Sequence, residues 1–206
     1  MKKNSEIKTM LKEAVILFGI TLMAGLLLGF VYELTKEPIR IQKEKAIAAA
    51  CQKVFAEANE FEAAEYLPSA KLEAQLSNNG VEIGTVFKAS NNGTLLGYVV
   101  ETTSKEGYGG DIVLYVGVTL EGKLNDISIL TISETPGLGM LAEKVLAPQF
   151  HDKAVEQFTY TKTGSTSDSE IDAISGATVT TKAVTYAVNG ALKVVQELVQ
   201  GGAGNE

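Results

Sequence analysis

Asp172-Ala173-Ile174-Ser175-Gly176-Ala177-Thr178-Val179-Thr180-Thr181 is the stretch from which the rest of the chain can be read. Small residues and hydroxyls stand where a loop gives way to helical spacing. Beyond it, Ala183, Val184, Ala187, Val188, Ala191, Leu192, Val195, Leu198 and Val199 form one apolar stripe up to Gln200. Ser175-Gly176-Ala177-Thr178 therefore lies at or just before a helix N-terminus. Backbone N–H groups there lack intrahelical partners, and the helix dipole favours an anion. Two readings stay open on these residues alone: an ordinary Ser/Thr cap, or a seat for a phosphate.

Composition limits what surrounds this stretch. At 206 residues, 45% hydrophobic and with 20 Gly, the chain suits one domain plus an appendage, with many tight turns. The formal net charge of -7 and the lack of a basic stripe argue against nucleic acid as a partner. Cys51 is the single cysteine, so no internal disulfide, zinc quartet or iron–sulfur ligand set exists. The single histidine, His151, reads as part of a surface loop and offers no nucleophile–base pair.

The N-terminal part reads as a membrane anchor. Residues 1–13 form a short polar tail carrying Lys2, Lys3, Lys8 and Lys12. Ala14 to Tyr32 then runs without a charge, long enough to cross a hydrocarbon core as one helix and longer than a signal-peptide apolar region. The distal flank holds Lys36, Arg40, Lys43 and Lys45, so positive charge is balanced across the span and orients nothing. Residues 33–68 are expected to form a connecting helix, entered at Pro38 and ended or broken at Leu67-Pro68, with Cys51 on its apolar face.

Residues 69–200 read as an α+β domain, an antiparallel sheet with flanking helices, and 201–206 as a flexible tail. Val81–Lys88 and Leu95–Thr102 alternate as strands around an Asn92-Gly93 hairpin. Ile112–Leu120 and Leu124–Thr131 form a second strand pair. Met140–Leu146 and Asp152–Phe158 have helical spacing, and Thr161–Glu170 is a polar loop.

Two further loops are unusual. Gly107-Tyr108-Gly109-Gly110 is either a plain glycine turn or a place where backbone approaches a flat ligand, with Tyr108 able to stack on it. Ser133-Glu134-Thr135-Pro136-Gly137-Leu138-Gly139-Met140 carries a Pro-Gly type II turn that displays Leu138.

The order anchor, Gly107–Gly110, Glu134–Gly139, Asp172–Thr178 resembles the FMN-binding domain shared by two membrane complexes. In one it belongs to the G subunit of the Rnf electron-transport complex, in the other to the C subunit of the sodium-pumping NADH:quinone oxidoreductase. The resemblance covers roughly residues 10–200, and Asp-x-x-Ser-Gly-Ala-Thr is its most specific part. It implies FMN joined through its phosphate to the hydroxyl of Thr178. Ser175, Gly176, Ala177 and Asp172 complete the recognition motif, with Thr180 and Thr181 as neighbouring hydroxyls. Glu134, Thr135, Gly137, Leu138, Gly139 and Tyr108 are implied to line the flavin. Asp172 is read either as orienting Thr178 or holding a metal during attachment, or as a loop acid capping a turn. Ile132 stands where family members often have a histidine, so no histidine role transfers.

The resemblance further implies an electron relay among other subunits of an ion-translocating ferredoxin:NAD oxidoreductase, with no catalytic site of its own. It implies a separate magnesium-dependent flavin transferase that uses FAD, and a flavin domain outside the cytoplasm. The shorter chain favours the Rnf complex over its quinone-reductase counterpart. A membrane-anchored flavin-binding sensor that moves no electrons stays as the contrasting expectation.

Overall fold

The computed structural model describes residues 2–202. Two compact units divide near Lys45. The first is the greater part of a single helix, α1 (Lys2–Val54), which is long and apolar enough to cross a membrane. Its side chains from Val15 to Tyr32 are exposed, including Leu28 at 73% and Phe18 at 66%. Surfaces of that kind suit hydrocarbon better than water. Thr21 and Thr35 donate their hydroxyls back to carbonyls three and four residues earlier, at 2.9–3.2 Å, so neither leaves an unpaired donor on the helix.

The second unit is built on a five-stranded antiparallel sheet in sequence order. Its strands are β1 (Glu60–Ala64), β2 (Val81–Asn91), β3 (Thr94–Ser104), β4 (Ile112–Thr119) and β5 (Leu124–Thr131). Asn92 (φ 50°) and Gly93 (φ 78°) both take the left-handed conformation, the pattern that a two-residue hairpin turn matched to strand twist requires. Both faces of the sheet are covered, so Val99 and Val100, neighbours pointing to opposite sides, are each fully buried.

One face carries the larger core. Val86, Val100, Leu114, Val116 and Ile127 meet Leu72 and Leu76 of α2 (Ala70–Asn78) and Leu146 and Phe150 of α3 (Ala142–Phe150). They also meet Ala183 to Val195 of α4 (Thr178–Gly202), the striped helix of the sequence. On the other face Ala89, Val99 and Tyr115 pack with Ala50, Cys51, Val54, Phe55 and Ala58 at the end of α1. Gly117 makes that contact possible. A Cβ there would lie 2.6 Å from the Val54 carbonyl oxygen, closer than any side chain tolerates.

Several expected elements differ. The helix of residues 33–68 ends at Val54, and it runs through Pro38 instead of starting there. Residues 60–64 have left it to become the edge strand β1, paired with β2 from Glu60↔Ser90 to Ala64↔Val86. The α2 helix, capped by Ser69 Oγ accepting from the Leu72 N–H, has no counterpart in the sequence reading. Asp152–Phe158 is not helical. Asp152 sits at φ 59°, and Lys153 exchanges backbone hydrogen bonds with Leu124 at 2.8 and 3.0 Å, taking the backbone groups that a helix would use. Asn189 then holds Phe158 by both amide atoms, each at 2.8 Å. A short parallel pair, β6 (Thr159–Thr161) and β7 (Glu170–Asp172), brackets the polar loop. At the ends, the expected polar tail is helical from Lys2 and α4 runs through Gly202, while residues 1 and 203–206 lie outside the described ones.

Candidate functional site

Register brings the two unusual loops together. Ser104 pairs with Ile112 and Val113 with Thr131, so the loops after β3 and after β5 leave the same end of the sheet. The first turn of α4 reaches that end as well. The three segments enclose a cleft of about 540 Å³, lined by Tyr108, Glu134, Thr135, Leu138, Gly139, Gly176, Ala177, Thr178, Val179 and Thr180. It is open enough for a flat ring, and Leu138 and Val179 give it apolar walls.

The Pro-Gly loop folds as its residues dictate. Gly137 takes φ 78°, and the Leu138 N–H donates to the Thr135 carbonyl at 3.1 Å, closing a type II turn. Leu138 is thereby held at the mouth of the cleft. The motif ahead of α4 makes a similar turn. Gly176 is at φ 77°, and the Ala177 N–H donates to the Ile174 carbonyl at 2.9 Å. The chain thus turns sharply into the helix, and the N–H groups of Thr178, Val179 and Thr180 have no partners among the described residues.

Three threonines share this turn, and the structure separates them. Thr180 is 1% exposed and donates its hydroxyl to Glu134 Oε2 at 2.9 Å. The Thr181 hydroxyl donates to the Ala177 carbonyl at 3.0 Å and accepts from the Ile174 N–H at 3.1 Å. Thr181 thus ties the turn to the helix and does not line the cleft. Thr178 is half-buried, lines the cleft, and has no hydrogen-bond partner for its hydroxyl among the described residues.

The remaining motif residues lie further out. Ser175 is exposed, and neither it, Gly137 nor Asp172 lines the cleft. Asp172 accepts from the Ser165 N–H at 2.5 Å and from the Ser165 hydroxyl at 3.3 Å, which closes the polar loop. Its backbone is bound by Gln149 at 2.7 and 3.2 Å. Among the described residues no His, Cys, Asp and Glu side chains gather as a metal site. Tyr108 is 75% exposed at the rim.

Two residues matter more than the sequence reading shows. Glu134 is the one buried carboxylate at the cleft; its Oε1 accepts from the Gly109 N–H at 3.2 Å while Oε2 holds Thr180. Gly139 lies against that pair, and a Cβ there would stand 2.6 Å from Thr180 Oγ1 and 2.7 Å from Glu134 Cβ. The carboxylate spacing to a threonine 46 residues later carries no local sequence signal.

Comparison with known proteins follows the same outline. Residues 107–193 match the FMN-binding domain, and residues 1–54 match the RnfG N-terminal region. The chain is 33% identical over 197 residues to the G subunit of the Na(+)-translocating ferredoxin:NAD(+) oxidoreductase complex of Acetobacterium woodii, covering 93% of this chain and 94% of that one. It is 42% identical over 116 residues to the proton-translocating counterpart of Clostridium ljungdahlii, covering 56% of this chain and 62% of the relative. With the G subunit of the ion-translocating oxidoreductase complex of Methanosarcina acetivorans it shares 27% identity over 93% of this chain and 97% of the relative. The crystal structure of Shewanella oneidensis NqrC aligns with a TM-score of 0.47 at 21% identity, over 57% of this chain and 61% of that one. Matched along nearly its whole length by the Acetobacterium protein, the chain belongs to the G-subunit family of the Rnf ion-translocating oxidoreductase complexes, with its FMN-binding domain at residues 107–193.

Proposed function

We propose that this chain is a membrane-anchored relay subunit of an ion-translocating ferredoxin:NAD oxidoreductase, and that it carries FMN esterified through its phosphate to Thr178. The observation that carries this reading is the state of the three hydroxyls. Thr180 and Thr181 spend theirs inside the protein, while the Thr178 hydroxyl stands free at a helix start that faces the cleft.

The residues present fit the group. The unpaired N–H groups of Thr178, Val179 and Thr180 suit phosphate oxygens at the positive end of the α4 dipole. Leu138 and Val179 offer apolar surface to a ring system and keep water from it, and Tyr108 can close over the rim. Bound there, FMN supplies two-electron acceptance and one-electron transfer. The chain's own part is to hold, orient and shield. Attachment belongs to a separate flavin transferase acting on FAD. The Thr178 oxygen forms a bond to the FMN phosphorus, the pyrophosphate bond breaks, AMP leaves and the hydroxyl proton passes to solvent.

Residues 14–32 form the anchor within α1. The partners are the other membrane and peripheral subunits of the complex, and the flavin domain lies on the extracytoplasmic side. Ser167→Cys, placed in the exposed polar loop, tests the side directly. An impermeant thiol reagent labels it in intact cells on this reading, and labelling only after lysis places the domain in the cytoplasm.

The attachment is tested by co-expression with a flavin transferase and flavin fluorescence on a denaturing gel. The wild-type band fluoresces and the Thr178→Ala band is dark. A fluorescent Thr178→Ala band overturns the site.

A further inference from the structure

We infer that Glu134 sets the reduction potential of a flavin held in this cleft, acting as a fixed negative charge clamped by Thr180 and Gly109. The inference rests on the flavin reading above and adds a tuning residue to it.

Glu134 is 6% exposed, and its carboxylate has two donors, the Thr180 hydroxyl and the Gly109 N–H. No cation lies within ion-pair distance of it among the described residues, although Lys182, two residues beyond Thr180, is paired with Glu106 at 3.6 Å. A buried carboxylate with two neutral donors keeps most of its field, because little water is present to screen it. The clamp fixes its place. Thr180 belongs to the first turn of α4, Gly109 to the loop that carries Tyr108, and Glu134 to the loop that carries Leu138. One carboxylate therefore joins all three walls of the cleft and also lines it.

A ring tethered at Thr178 and filling that cleft meets this charge. Full reduction brings in two electrons and one proton, so the ring gains one negative charge. A fixed carboxylate beside it opposes that gain and holds the potential low.

The test uses the full chain, loaded with flavin by co-expressed transferase and kept in detergent, titrated with dithionite while its absorbance is followed. Glu134→Gln removes the charge at nearly constant shape. At a fixed applied potential it shifts the reduced-to-oxidised ratio at least tenfold toward reduced, about 30 mV for a two-electron couple. Glu134→Asp keeps the charge and shows less than half that shift. Thr180→Val removes one donor, leaves the charge less compensated and moves the ratio the other way. It also serves if the Gln variant does not fold. Thr185→Val deletes an equally buried hydroxyl, bonded to the Thr181 carbonyl, and is the control: it lowers the melting temperature and leaves the ratio unchanged. Unchanged ratios in Glu134→Gln and Thr180→Val, with flavin present on both, overturn the inference and leave the flavin reading standing. A wild-type chain that takes up no flavin overturns both.

Discussion

Glycine does opposite work on one face of this sheet and at its end. On the α1 side Gly117 lets a helix end close against β4, and the result is a filled core around Cys51, Val54 and Phe55. At the sheet's end Gly139 and Gly176 let three segments approach one another while a cleft stays open between them. The difference lies in the partner. Gly117 meets the Val54 carbonyl and the Val54 and Phe55 side chains, whereas Gly139 meets Thr180 Oγ1 and the Glu134 side chain. Closeness to a packed helix end closes a core, and closeness to a hydrogen-bonded side-chain pair shapes a cleft.

This contrast can be broken experimentally. The largest expected effect is on the closed side. Gly117→Val forces a branched side chain into Val54 and costs about 3 kcal/mol, the upper part of the overpacking range. A thermal melt reads the loss, and the folded fraction still takes flavin. Gly139→Ala is the counterpart. Its methyl displaces Thr180 or Glu134, costs about 1–3 kcal/mol, and lowers covalent flavin yield or leaves the bound flavin open to iodide quenching. If Gly139→Ala loses stability alone, with flavin yield and quenching unchanged, the two glycines do the same work and the contrast fails.

A subtler effect concerns the closed core's chemistry. Burial, helped by the charge of Glu101, pushes the Cys51 thiol up to about 11. The folded chain therefore favours the neutral thiol. That contribution to stability is fully present below the ordinary thiol value of about 8.5 and is lost as pH rises toward 11. Native protein at pH 8.5 is expected to leave a thiol reagent unreacted until denaturant is added. Rapid labelling of native protein would show that the layer opens. The smallest effect belongs to the Lys182–Glu106 pair, half-buried at Lys182 and exposed at Glu106. Lys182→Met costs at most about 1 kcal/mol, within the range of surface ion pairs, and leaves flavin attachment intact.

Much of the fold was legible because its signals are local. The Asn92-Gly93 turn fixes the β2–β3 hairpin, and the stripe from Ala183 to Val199 fixes α4. The strand β1 was not legible. Glu60-Phe61-Glu62-Ala63-Ala64 alternates over only four residues and buries none of them fully, and it is a strand because β2 offers it an edge. Asp152–Phe158 failed for a related reason. Its apolar spacing suits a helix, but backbone bonds to Leu124 and the Asn189 clamp on Phe158 decide otherwise. In the cleft, the motif located a turn at the start of α4 but could not separate its hydroxyls by packing. The Glu134–Thr180 bond that separates them joins a loop to the first turn of α4 across 46 residues, and no spacing rule reaches that far.

One hydroxyl, on Thr178, is central to everything proposed for the cleft. The measurement that tests it most directly is mass-spectrometric fragmentation of the peptide following Lys162 and ending at Lys182, taken from protein matured with a flavin transferase. The expected result is an FMN-phosphate adduct on Thr178, with Thr180 and Thr181 unmodified. An adduct on Thr180 or Thr181, or a peptide without one from flavin-bearing protein, contradicts it.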